Sequence, residues 1–191
     1  MVRKLFLAFT FGALTFVNAQ EESIRFGGKV GLNVANFVGD DADDDAESKL
    51  GFHIGAVVEI PITEKFAFQP ELLFSTQGVK EEEAGVDFKL NLNYINVPLI
   101  FKYYFIEGLN IEIGPQVGFL VSAKAKADSN DTDVKDQFKT LDLGANIGLG
   151  YQLDMGLFFQ GRYNYGITNI GDDDDSDLRN SVIQFSVGYK F

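Results

Sequence analysis

The chain has 191 residues, 46% of them hydrophobic and 14% aromatic, with 20 Gly, 4 Pro and neither Cys nor Trp, which is enough material for one domain with a continuous core. The lack of Cys excludes disulfides, thiolate metal sites, a Cys nucleophile and a lipid-anchored N-terminal Cys. With 16 basic residues against 28 acidic ones the formal charge is −12, which opposes binding to the phosphate backbone of nucleic acid, and no nucleic-acid partner is expected.

Arg3 and Lys4 precede an apolar stretch from Leu5 to Val17, and Val17-Asn18-Ala19 supplies the small residues a signal peptidase needs before Gln20. Residues 1–19 therefore read as a secretory signal, with cleavage after Ala19. The stretch falls below the ~20 apolar residues of a spanning helix. No later segment approaches that length, so a mature chain in a membrane, residues 20–191, must span it with strands.

After Gln20 the hydrophobic period is two. The first segment sets Phe26, Val30, Leu32 and Val34 against Arg25, Lys29 and Asn33, and the second sets Phe52, Ile54, Ala56 and Val58 against His53, Gly55 and Glu59. The third opposes Phe66, Phe68, Leu72 and Phe74 to Gln69, Glu71 and Ser75. In the fourth, Phe88 to Tyr94 are apolar at even positions and Ile95 to Phe105 at odd ones, which predicts a bulge near Tyr94 and Ile95. The fifth opposes Ile111, Ile113, Val117, Phe119 and Val121 to Glu112, Gly114, Gln116, Gly118 and Ser122. The sixth, Leu141 to Leu153, alternates without exception, the seventh opposes Tyr163 and Tyr165 to Arg162 and Asn164, and the eighth opposes Ile183, Phe185, Val187, Tyr189 and Phe191 to Gln184, Ser186, Gly188 and Lys190. Eight strands are thus predicted over residues 24–38, 49–61, 66–79, 88–105, 109–125, 138–153, 157–170 and 180–191.

Short links at 62–65, 106–108 and 154–156 alternate with longer polar loops at 40–48, 80–87, 126–137 and 171–179, so an up-and-down sheet gathers all the long loops at one end. Those four loops hold 19 of the 28 acidic residues against four basic ones, a rim of −15.

The polar face is dominated by Gly, Asn, Gln and Ser rather than by the Lys, Glu and Thr of a solvated exterior, which suits a cramped hydrogen-bonded lumen. Aromatic residues gather near strand ends at Tyr103, Phe105, Tyr163, Tyr165, Tyr189 and Phe191, as in a lipid-facing band with girdles. The expected fold is all-β, an eight-stranded antiparallel up-and-down transmembrane β-barrel, the first strand pairing with the last. At about eight strands side chains fill the lumen. Arg25, Lys29, Lys102, Arg162 and Lys190 are expected to meet Glu59, Glu71, Glu112 and Asp142 there, near charge balance, because an isolated buried charge is costly.

The motifs Gly28-Lys29-Val30-Gly31-Leu32-Asn33, Gly51-Phe52-His53-Ile54-Gly55, Gln69-Pro70-Glu71-Leu72-Leu73-Phe74-Ser75, Tyr94-Ile95-Asn96-Val97-Pro98-Leu99, Gly114-Pro115-Gln116-Val117-Gly118 and Arg162-Tyr163-Asn164-Tyr165-Gly166 occur in this order through almost the whole mature chain. In them the chain resembles the PorT-like outer-membrane β-barrel family of Bacteroidota-type bacteria. The resemblance implies an eight-stranded outer-membrane barrel and no defined activity; some relatives serve protein secretion. The closing Phe185, Val187, Tyr189 and Phe191 look like the signal that barrel-assembly machinery reads by edge pairing.

Other chemistry is sparse. Asp41, Asp43, Asp45 and Glu47, and likewise Asp172 and Asp174, offer carboxylates to a loosely held Ca²⁺ or Mg²⁺, against the competing reading of a solvated acidic loop; no resident cofactor is expected. His53, the one histidine, points inward, where a satisfied interior residue is the simpler reading than a catalytic base. The expectation is a non-enzymatic outer-membrane barrel with its long loops extracellular, in contact with lipid and lipopolysaccharide and, through the loops, with a secretion or surface partner. A narrow channel or small-solute carrier is the alternative.

Overall fold

A computed structural model describes residues 23–42, 46–83, 86–127, 130–173 and 176–191. The predicted secretory segment, residues 1–19, lies outside them. The strands are β1 (Arg25–Val38), β2 (Glu47–Pro61), β3 (Phe66–Glu83), β4 (Val86–Ile106), β5 (Leu109–Ala127), β6 (Asn130–Asp133), β7 (Leu141–Gln152), β8 (Leu157–Gly166) and β9 (Arg179–Lys190). Every pairing is antiparallel, in the order β4-β3-β2-β1-β9-β8-β7-β5, and a further β4–β5 pairing closes the ring. Eight strands make the barrel, and β6 is a short flap on the end of β5. The seam between first and last strand runs from Gly27↔Lys190 to Val38↔Arg179, leaving no edge unpaired along the wall.

The alternation determines which side chains meet which medium. Leu72 and Phe185 on the outer face are 56% and 58% exposed, whereas Glu59, Glu112 and Asn33 on the inner face are 0% exposed. A continuous apolar exterior of this kind is stable only against hydrocarbon. At the short-turn end Phe66 stacks on Tyr103 with centroids 4.9 Å apart, and nearer the other end Phe52 meets Phe74 at 6.0 Å, so aromatic residues mark both borders of the belt. The short turns fall where the sequence places them; in the tightest, between Ile106 and Leu109, Gly108 has φ +76°, a conformation that an L side chain rarely adopts.

Four predicted details are corrected. Residues 80–87 are mostly hairpin: β3 and β4 stay paired out to Glu83↔Val86. The 126–137 loop contains β6 and a 3-10 turn, Lys135–Gln137, while the predicted strand 157–170 stops at Gly166, leaving Ile170 free to fold inward, where it is fully buried. A bulge does lie beside Tyr94, but the extra residue is on the neighbouring strand. Asn93 pairs Ser122 and Tyr94 pairs Leu120, so Val121 of β5 is unmatched, and β4 keeps its even residues inward from Leu90 to Tyr104.

The consequence is an apolar layer inside the long-loop end. Leu92, Tyr94, Leu120, Ala123 and Ile170 form a buried cluster, with Phe37, Leu90, Val134, Phe138 and Leu178 packed on it. At the short-turn end, by contrast, a cavity of about 360 Å³ opens between Arg25, Glu59, Thr63, Lys65, Tyr104 and Gln152. The lumen is polar and open below, apolar and closed above.

Candidate functional site

Inward positions on seven strands converge on a chain of ion pairs. Inside the open mouth, Glu59 of β2 accepts from Lys102 at 3.3 Å, from the Tyr104 hydroxyl at 2.9 Å and from Lys190, and pairs with Arg25 at 3.3 Å. One step deeper Lys102 also reaches Glu112 of β5 at 3.3 Å. Arg162 of β8 then bridges two carboxylates: its Nη1 and Nη2 donate to the two oxygens of Glu71 at 3.0 and 2.9 Å, and Nη2 and Nε to Glu112 Oε2 at 2.7 and 3.3 Å. Lys29 completes the chain on Glu71 at 2.8 Å. Such bidentate, charge-assisted bonds offset the desolvation that burial imposes on each ion.

Eight of the nine predicted interior charges therefore meet in one network. Asp142 does not. It sits a layer higher, accepting from Asn180 at 2.8 Å and from Thr168 at 3.4 Å, beside the Tyr94 hydroxyl that also accepts from Asn180 at 3.1 Å. Without it, Lys29, Lys102, Arg162 and Lys190 face Glu59, Glu71 and Glu112 as buried ions, one cation in excess. Sequence reasoning missed the neutral partners: Gln160 joins Lys29 to Glu112, at 3.2 and 2.6 Å, Gln69 donates to Glu71 at 2.8 Å, and Gln152 accepts from Lys190 at 2.8 Å. The Phe158 ring lies 4.7 Å from Lys190 Nζ, a cation–π contact that shares the surplus charge. The inward phase of these amides was the available signal; which ion each would serve depends on register across the lumen.

Above the ions stands a hydrogen-bonded trio. Asn33 donates to the carbonyls of Phe52 and Thr76 at 3.1 and 2.9 Å and to Ser75 at 3.0 Å, which leaves its Oδ1 as an acceptor. His53 Nδ1 lies 2.7 Å from that oxygen, so Nδ1 carries the proton and Nε2 accepts from Ser186 Oγ at 2.8 Å. The order hydroxyl, imidazole, amide is that of a nucleophile, a base and an orienting group. Here, however, His53 is 0% and Ser186 8% exposed, so the trio is shut off from solvent and ties β1, β2 and β9 together.

Of the acidic-loop candidates, Asp41, Glu47 and Asp172 fall within the described residues. Asp43, Asp45 and Asp174 lie outside the described residues. Asp41 Oδ2 is occupied by the backbone N–H of Asp177 at 2.7 Å, and Glu47 pairs with Lys80 at 3.0 Å. Among the described residues no group of three acidic or His side chains is placed to hold a metal. At the seam, Phe185, Val187 and Tyr189 face outward on β9, and the backbone N–H of Phe191 donates to Phe26 at 2.9 Å.

Comparison with known proteins agrees with this geometry. A family model described as outer membrane protein beta-barrel domain matches residues 18–172. No curated protein is significantly similar in sequence. Neisserial surface protein A superposes with a TM-score of 0.61 at 17% identity, over 89% of this chain and 100% of that one. Ail of Yersinia pestis, solved with the heparin analogue sucrose octasulfate, gives 0.53 at 16% identity over 88% and 99%. A major outer membrane protein of Thermus thermophilus gives 0.51 at 11% identity over 88% and 100%. At these identities the likeness is one of fold.

Proposed function

The chain belongs to the outer membrane protein beta-barrel domain family, and from that premise we propose that it is a non-enzymatic integral barrel whose task is to hold an acidic loop rim outside the cell. It is an outer membrane β-barrel protein; the finer reading takes residues 1–19 as the removed signal, the chain as one of the PorT-like members, the long loops as extracellular and the end of β9 as the segment taken up by the assembly machinery. The observation that carries it is the division of the lumen. The buried ions pair with one another and His53 is held between Asn33 and Ser186, and the apolar cluster closes the loop end, so the charged chemistry left for partners lies on the loops. A rim with a formal charge of −15 suits basic or cation-bridged partners, either envelope lipopolysaccharide or a secretion or surface protein. It does not suit a polyanion such as the heparin analogue bound in the Ail structure.

The test is to exchange residues 40–48, 126–137 and 171–179 for short neutral turns and to compare partner capture from native outer membranes and the attendant surface phenotypes. Loss of both with retained folding supports the reading. Unchanged capture and phenotypes defeat it. The cavity at the short-turn end and the surplus buried cation favour a second reading, a narrow anion-preferring channel, which requires the apolar layer to part.

A further inference from the structure

The outer face of β3, β4 and β5 changes chemistry in register toward the long-loop end. The row Phe74↔Ile95↔Phe119 is the last fully apolar one; next comes Thr76↔Asn93↔Ser122, then Gly78↔Asn91↔Lys124, then Lys80↔Lys89↔Lys126. Three lysines thus stand directly opposite one another across three strands, with Lys124 one row below. Like charges so placed repel. Glu47 pairs with Lys80 at 3.0 Å and Asp131 with Lys126 at 3.1 Å; both carboxylates are about half exposed or more, and pairs of that kind contribute little.

We propose that Lys80, Lys89, Lys124 and Lys126 form a site for the phosphate groups of a sugar-bearing lipid headgroup, that is, of lipopolysaccharide. The height decides against an ordinary phospholipid. Six residues at about 3.3 Å each and a tilt near 40° set the top row about 15 Å beyond the last apolar row, whereas the interfacial zone of a bilayer is only about 5–8 Å deep on each side. Even with their stems lying along the wall, these ammonium groups stand above phospholipid phosphates and level with phosphates carried on sugars. The proposal deepens the reading above and rests on the long loops facing outside.

The experiment uses the full mature chain refolded in detergent, with binding of purified lipopolysaccharide measured in EDTA at physiological salt. The K80Q/K89Q/K124Q/K126Q variant is expected to bind about tenfold or more weakly, a K135Q/K139Q control to match the parent, and enzymatically dephosphorylated lipopolysaccharide to bind the parent as weakly as the variant binds the intact form. Retained heat-modifiable gel mobility shows that the variants are folded. Undiminished binding by the quadruple variant overturns the proposal, as does binding that vanishes in EDTA for the parent. Equal, lysine-dependent binding of phosphatidylglycerol vesicles overturns the assignment to a sugar-bearing headgroup. Labelling of single cysteines introduced into the long loops of intact cells tests the orientation separately: loops that face inward defeat the functional reading while leaving the lysine site measurable in vitro.

Discussion

Arg162 is the residue on which the buried charges depend, because its planar fork serves Glu71 and Glu112 together. Arg162→Met keeps much of the volume but leaves two carboxylates to share Lys29 and Lys102, and should lower stability by about 3–5 kcal/mol, the cost of breaking a buried ion pair from one side. Urea titration in lipid vesicles, read by heat-modifiable gel mobility, measures this. Arg162→Lys should recover only part, since one ammonium cannot make both bidentate contacts. For His53, removal of the imidazole leaves Ser186 Oγ and Asn33 Oδ1 short of a partner in a closed layer. His53→Ala should therefore destabilise the barrel by about 1–3 kcal/mol while phospholipid turnover stays at background in both parent and variant. Turnover present in the parent and lost in the variant would restore the catalytic reading.

Among the elements, the β5 bulge explains why one strand misleads when read alone. Below it the lumen is polar and the exterior apolar; above it, under the loops, the lumen is apolar and the exterior polar. β4 crosses that height without a bulge, so its residue types exchange phase between Tyr94 and Ile95 although its side chains do not. β5 crosses it with Val121 unmatched, and the two reversals cancel: odd positions stay apolar from Ile111 through Phe119 to Ala123 and Ala125. The seam between β1 and β9 imposes a different constraint, at Gly31. A Cβ there would lie 2.1 Å from the Phe185 carbonyl oxygen and 2.5 Å from His53 Cε1. Gly31→Ala should cost about 1–3 kcal/mol by overpacking and reduce the heat-modifiable fraction on refolding, with β1 and β9 the strands whose amides lose most protection from hydrogen exchange.

For the whole molecule, closure removes every strand edge from hydrocarbon and makes the lumen a compartment with one open polar mouth and one apolar seal. An apolar constriction excludes ions by dewetting. Planar-bilayer recordings of the parent should show no steady unitary conductance, and Leu92→Ser with Leu120→Ser should raise the frequency of openings; stable parent openings would promote the channel reading over the scaffold.

The local alternation, the short-turn spacing and the concentration of acid in four loops were legible in the residues alone. Each strand carries its own record of the two media it divides, and a period of two needs no partner to be recognised. Choosing the amide-rich face as the inner one followed from composition, and the eight charges that meet in the lumen followed from that choice. Their pairings did not follow, nor did the separation of Asp142, the Ser186–His53–Asn33 layer, the apolar seal or the alignment of the lysines from three strands. These depend on register between segments far apart in the chain, and a shift of one residue exchanges the medium each side chain meets. Only the closed ring sets that register for all eight strands at once.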